Sequence, residues 1–302
     1  MHVHDHAHGR APTNYSRAFA IGILLNLAFT VAEATFGILS HSLALLSDAG
    51  HNLSDVLGLV LAWGAFRLAT QRPTARHTYG FRRSTILAAL TNAVVLLIVV
   101  GGLIWEAIRR FHDPQPVTSG TVIMVAAAGI LINGTSALLF LSGRRGDLNV
   151  RGAFLHLAAD AGVSLGVVVA GFAMQWTGSA WIDPAMALAI AGIIAFGTWS
   201  LFRESLNLAM DAVPHEIAPE HVSRFLHDVP GVQSVHDLHV WAMSTSETAL
   251  TVHLVVPGRS VEDEELARIC DELRHRFGIG HATIQVERGD RGVECDRAKG
   301  EL

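Results

Sequence analysis

The stretch LALLSDAGHNLSDVLGLVLAWGAF, residues 43–66, decides how this chain is read. A membrane-spanning helix needs roughly 20 mostly apolar residues, and this run has that length. Yet it carries His51 and Asp55 near its middle. On insertion scales an Asp at the centre of a spanning helix costs about 2.5–3.5 kcal/mol. These two side chains must therefore face something other than lipid. Their i, i+4 spacing puts both on one face of a helix.

Working outward, five more runs have spanning length: 17–39, 84–106, 119–141, 152–175 and 181–202. The run 152–175 repeats the first pattern, with His156 and Asp160 again four apart. Two such faces meeting inside a bundle bring two imidazoles and two carboxylates around one point. That donor set suits a tetrahedral Zn²⁺ ion. The two carboxylates also balance the charge of a divalent cation in a dry interior. Histidine titrates between about pH 5 and 8, and a metal ligand must shed its proton, so binding metal releases protons. The four residues can thus exchange metal for protons. Asp48 lies three residues before His51, on roughly the same face. It is a candidate to orient a ligand imidazole or to line an access path. Asn26, Glu33, Asn52, Asn92 and Asn133 are the other polar groups in the spans, and the plainer reading is that they bridge helices.

Composition agrees with a membrane protein. Half of the 302 residues are hydrophobic and 16% are charged, against about 25% charged in an ordinary soluble domain. Mean hydropathy is +0.37. The mild net charge of -5 gives no sign of a nucleic-acid surface. Cys270 and Cys295 are too few for a disulfide framework or a cysteine zinc site. Arginine sets the orientation. Arg10, Arg17, Arg67, Arg72, Arg76, Arg82, Arg83, Arg144, Arg145, Arg151 and Arg203 fall on one side, and only Arg109 and Arg110 on the other. Both termini are therefore expected in the cytosol. Asp183-Pro184 reads as an N-cap followed by a first-turn proline that starts the sixth helix. Trp105, Trp176, Trp181 and Trp199 sit near span ends, where interfacial aromatics belong.

After Pro214 the pattern changes to that of a soluble domain. Residues 219–229 read as a helix, 232–243 and 248–256 as strands, 261–277 as an amphipathic helix, and 281–287 as a third strand. The order αββαβ predicts a small α+β sandwich with one helical layer. By strand alternation His239 should face away from His236. The expected organisation is a His-rich cytosolic segment over 1–16, a six-helix α-helical membrane bundle over 17–208, a cytosolic α+β domain over 209–290, and a flexible tail over 291–302.

Longer stretches carry a resemblance. HSLALLSDAGHNLSD (41–55), HTYGFRRSTILAAL (77–90), DLNVRGAFLHLAADAGVSLGVV (147–168), WIDPAMALAI (181–190) and GVQSVHDLHVWAMS (231–244) together resemble the cation diffusion facilitator family, in particular its bacterial zinc-transporting branch. The resemblance covers essentially the whole chain. It implies six transmembrane helices, a cytosolic domain with a metallochaperone-like fold, and a homodimer in the inner membrane. The implied activity is export of cytosolic metal in exchange for protons. The family's transport ligands match His51, Asp55, His156 and Asp160. His at position 51 favours Zn²⁺, with Cd²⁺ and Co²⁺ as further substrates. Relatives that bind regulatory metal in the tail domain point to His236, His253, His281 and Glu287. A metal site that some relatives carry between helices 2 and 3 is not expected: His77 matches one position, but Phe81 fills the second. His2, His4, His6 and His8 are suited to collecting metal loosely near the entrance.

Two other readings compete. A membrane-bound metalloenzyme would need an open coordination position and a base beside the metal, and no H-E-x-x-H motif is present. A metal sensor would use the tail domain to read zinc and the spans as an anchor. It leaves the ligands on two separate spans without a purpose.

Overall fold

The computed structural model describes residues 14–141 and 148–289. The N-terminal histidines, the loop bearing Arg144 and Arg145, and the tail with Cys295 lie outside the described residues. Six long helices come first: α1 (Asn14–Leu39), α2 (Leu43–Ala69), α3 (Ser84–His112), α4 (Ser119–Phe140), α5 (Leu148–Thr177) and α6 (Ile182–Ala209). Then follow α7 (Pro219–His227), β1 (Ser234–Ala242), β2 (Thr248–Val255), α8 (Asp263–Phe277) and β3 (Ile279–Glu287). Among the described residues five helices, α2 to α6, are long and apolar enough to cross a membrane. The described side chains of α1 begin only at Asn26, and its apolar run Asn26–Leu39 is counted as a shorter one.

The chain divides into two compact units, Met1–Leu57 with Val95–Thr198, and Gly58–Val94 with Trp199–Leu302. The first holds the paired His/Asp motifs. Its interior is a layer of Leu45, Leu96, Val100, Val122, Val167, Ile190 and Ile194. Small residues let its helices approach closely. A Cβ built on Gly171 of α5 would lie 2.6 Å from Ile123 Cγ1 of α4. One on Gly129 of α4 would lie 2.8 Å from Phe29 Cζ of α1 and 2.9 Å from Ser164 Oγ of α5. The outer surface is apolar: Val31, Ile98, Met124, Leu131, Trp176, Ile193 and Phe196 are exposed. Glu33, Asp48, Asn52, Asn133, Asp160 and Asp183 are buried. Apolar outside and polar inside is the distribution that hydrocarbon solvent requires, and few water-soluble surfaces tolerate so much exposed apolar area.

Asp183 corrects one sequence expectation. The sixth helix already starts at Ile182, so Asp183 lies in its first turn rather than capping it. Its carboxylate instead caps α2. Oδ1 accepts from Ser42 Oγ at 2.5 Å, Oδ2 accepts from Leu43 N at 2.6 Å, and Ala44 N approaches Oδ1 at 3.4 Å. The first N–H groups of a helix have no intrahelical partner, and a carboxylate there also meets the positive end of the helix dipole. The chain enters this cap through His41, which has φ +56°.

In the second unit the sheet order is β1-β2-β3, antiparallel between β1 and β2 and parallel between β2 and β3. Helices α7 and α8 cover one face, burying Val222, Leu226, Ile269 and Leu273 against Val240, Leu250, Val252 and Leu254. The predicted αββαβ order is the observed one. α8 has Asp263, Glu264 and Glu265 in its first turn and Arg274, His275 and Arg276 in its last, charges that suit both ends of its dipole. It stops at Gly278, whose φ of +70° makes a left-handed C-cap. Burial of Cys270 on α8 raises its thiol pKa above the usual range, so the thiol is protonated at neutral pH. The same unit ties the α2–α3 connection to the sheet. Arg82 pairs with Glu247 at 2.8 Å, Thr245 N donates to Thr85 Oγ1 at 3.0 Å, and Tyr79 meets His281 edge-on at 5.5 Å.

Replacing Asp183 by Ala strips the α2 cap and leaves buried donors bare. This should destabilise the protein by about 1–3 kcal/mol. The check is a thermal melt of the detergent-solubilised variant, and an unchanged midpoint would contradict the capping role.

Candidate metal centre

α2 and α5 each present one His-x-x-x-Asp face, and the structure brings the two faces together. His51 Nε2 lies 3.8 Å from Asp55 Oδ2 and 3.7 Å from Asp160 Oδ1. His156 Nε2 lies 3.3 Å from Asp55 Oδ2 and 3.6 Å from Asp160 Oδ2. The imidazole centroids are 6.1 Å apart and steeply inclined. A tetrahedral zinc ion with bonds of about 2.0 Å needs ligand atoms about 3.3 Å apart. The four carboxylate–imidazole distances lie near that value, while Asp55 falls outside the group whose ligand atoms are all close to one another. His51, His156 and Asp160 each offer an atom within 4.8 Å of the other two. Asp55 Oδ2 and Asp160 Oδ2 are buried without a hydrogen-bond partner, as ligand atoms facing a shared ion would be.

The centre is open on one side. Asp160 is 2% exposed, whereas Asp55 is 35% and His156 46% exposed. Asp48 has other partners than the sequence suggested. It accepts from Ser164 Oγ at 3.3 Å, and His51 Nδ1 has no hydrogen-bond partner. Glu33, read as a helix bridge, is fully buried and accepts from Asn52 Nδ2 at 3.2 Å.

A second donor set lies on the open face of the tail sheet. His253 Nδ1 is 2.7 Å from Glu287 Oε1, His236 Nε2 is 3.6 Å from Glu287 Oε2, and the two rings are 5.1 Å apart. Register explains this: His236 faces His253 across β1 and β2, and Glu287 is two residues beyond Gln285, the β3 partner of His253. His281 is not part of the group. It shares the outward face of β3, but six residues at about 3.3 Å each place it some 20 Å from Glu287. It pairs with Ala249 instead.

His239 corrects another expectation. A bulge lies between His236 and His239, and Asp237 has φ +52°. The extra residue reverses the alternation. His239 pairs with Thr251, on the same face as His253. Asp237 links them, with Oδ1 3.0 Å from His239 Nε2 and Oδ2 3.7 Å from His253 Nε2. No signal in the sequence marks a bulge in this run. In the α2–α3 connection the His77 ring lies 4.6 Å from that of Phe81.

Residues 19–208 match the cation efflux transmembrane domain, well over half of the chain. The chain belongs to the cation efflux family. Residues 214–289 match the cation efflux protein, cytoplasmic domain. The chain is 36% identical to the metal cation efflux system protein CzcD of Cupriavidus metallidurans over 95% of its own length and 89% of that protein. It is 35% identical to the zinc transporter ZitB of Escherichia coli over 99% and 96%. It is 33% identical to the cadmium, cobalt and zinc/H(+)-K(+) antiporter of Bacillus subtilis over 94% and 91%. The solved metal-bound C-terminal domain of the C. metallidurans CzcD transporter is 38% identical over 24% of this chain and 99% of that one, with a TM-score of 0.21. This efflux protein is thus a membrane-embedded transporter of metal cations, and the metalloenzyme reading falls.

Glu287→Ala removes the carboxylate that both tail imidazoles approach. It is expected to lower the zinc retained by the purified full-length protein by about one ion per chain. Equilibrium dialysis checks this, and an unaltered zinc content would contradict the tail donor set.

Proposed function

We propose that this protein exports Zn²⁺ from the cytosol in exchange for protons, through His51, Asp55, His156 and Asp160. The observation that carries the reading is the approach of the two motifs across α2 and α5, His51 to Asp160 at 3.7 Å and His156 to Asp55 at 3.3 Å. Two carboxylates neutralise a divalent charge, and two imidazoles favour zinc over magnesium or calcium, which prefer oxygen alone. The names of its relatives support zinc as substrate, with Cd²⁺ and Co²⁺ beside it, and exchange against a monovalent cation.

Proton exchange rests on the ligands themselves. The metal-free centre holds protons on imidazole or carboxylate, and arriving metal displaces them. Metal leaving on the far side frees the same groups to take up protons there. Both steps use one set of atoms, so the two cargoes compete for it. Residues 17–208 form the membrane part and 209–290 the cytosolic domain, with both termini on the cytosolic face of the inner membrane. The protein works as a homodimer, and the match to the family's cytoplasmic domain supports this assembly. His236, His253 and Glu287 hold a regulatory metal in the tail domain, with Asp237 behind them.

Asp55→Ala and Asp160→Ala each remove two of the four close contacts. Zinc flux into proteoliposomes should fall by two orders of magnitude or more, about 3 kcal/mol of lost ligation, with helix content and dispersity unchanged. Residual flux near the wild-type rate in either well-folded variant would refute the assignment.

A further inference from the structure

Several hydroxyls in the long helices close back on their own backbone. Thr30, Thr35, Thr135 and Thr198 each donate to the carbonyl four residues earlier, a common resort of Ser and Thr inside a helix. Ser164 of α5 does otherwise. Its Oγ crosses to α2 and donates to Asp48 Oδ2 at 3.3 Å. Both residues are buried, Ser164 at 0% and Asp48 at 1% exposure. α4 lies tight against this point. A Cβ on Gly129 would stand 2.9 Å from Ser164 Oγ, so glycine at 129 leaves the room that the hydroxyl occupies.

The bond adjoins the metal centre on both helices. Asp48 precedes His51 by three residues on α2, and Ser164 follows Asp160 by four on α5. Each stands about one turn, or about 5 Å of rise, from its ligand. Asn52, next to His51, ties the same stretch of α2 to α1 by donating to Glu33 Oε2 at 3.2 Å. The pair does not hold the ligands directly, because His51 Nδ1 and Asp160 Oδ2 have no hydrogen-bond partner. Its effect on them runs through the spacing of the helices.

Two of the ligand distances cross from α2 to α5, His51 to Asp160 at 3.7 Å and His156 to Asp55 at 3.3 Å. These two widen or close with the gap between the helices. Zinc, at about 2.0 Å from each ligand atom, needs those atoms about 3.3 Å apart. Cd²⁺ is a larger ion and needs them wider, so the gap decides which ion fits. Ser and Asp have short side chains, and a hydrogen bond between them limits how far the helices can part. We propose that Ser164 and Asp48 are positioning residues that hold α2 and α5 at the spacing of zinc, and so make the centre discriminate against the larger Cd²⁺. This rests on the reading of His51, Asp55, His156 and Asp160 as the transport ligands, and it leaves both metal and protons on them.

The experiment measures pH-gradient-driven uptake of zinc, and separately of cadmium, into proteoliposomes that hold the full chain. It compares wild type, Ser164→Ala, Asp48→Ala, the double variant, and Asp48→Asn, whose side-chain oxygen still accepts from Ser164. Loss of the bond should raise the KM for zinc by about threefold to tenfold, with the maximal rate per folded protein little changed and the KM for cadmium moved less. The cadmium-to-zinc KM ratio therefore falls in Ser164→Ala and in Asp48→Ala. The double variant should be no worse than either single one, since the two side chains act as one contact. Asp48→Asn should keep the wild-type ratio, because removing a charge weakens both divalent ions alike. Equal rises in the two KM values would overturn the proposal. So would a lowered thermal midpoint with both KM values unmoved, since the pair would then be a packing contact alone. Near-normal zinc flux in Asp55→Ala or Asp160→Ala, the result that refutes the ligand reading, would overturn it too, by removing the ligands that the pair positions.

Discussion

Every arrangement in the membrane part follows from the expense of placing a charged or polar group against hydrocarbon. The six long helices satisfy their own backbones, so only side chains remain to be accounted for. Apolar ones can point anywhere, and many point outward. Polar ones must converge. On α2 the residues Asp48, His51, Asn52 and Asp55 span just over two turns, and they meet Glu33 from α1 and His156, Asp160 and Ser164 from α5. The constraint that removes these groups from lipid also gathers carboxylates and imidazoles at one place.

The two donor sets differ in how they are held. In the membrane centre each helix contributes a complete i, i+4 pair, so a single helix–helix contact builds the site, and a small shift between α2 and α5 alters both distances that cross between them, His51–Asp160 and His156–Asp55. That suits a cargo site, which must release what it binds. In the tail domain the donors lie on three hydrogen-bonded strands whose register fixes their spacing. A sheet offers no such freedom, which suits an ion that stays bound.

Local patterns carried far in the sequence. Apolar runs gave the helices, with starts at 43, 84 and 119 that the structure reproduces, and runs rich in Val, Leu, Thr and His gave the first two strands of the tail. The paired His-x-x-x-Asp motif was legible because helical spacing alone puts both residues on one face. What stayed hidden depends on neighbours distant in the chain. Asp183 looks like the cap of its own helix, but it serves α2 from about 140 residues away. His239 looked misdirected until the bulge at Asp237 turned it. His281 matched by type but sits too far along β3. The Glu33–Asn52 hydrogen bond joins two helices whose relative rotation no periodicity specifies.

The central claim is that the transported metal rests between α2 and α5 on four named side chains. Anomalous scattering at the zinc absorption edge, from the full-length protein loaded with zinc, tests it most directly, because it locates the ion regardless of any other zinc on the chain. The account predicts a peak enclosed by His51, Asp55, His156 and Asp160, with about 2.0 Å from metal to each ligand atom. Zinc found elsewhere among the helices, with none at this point, would contradict it.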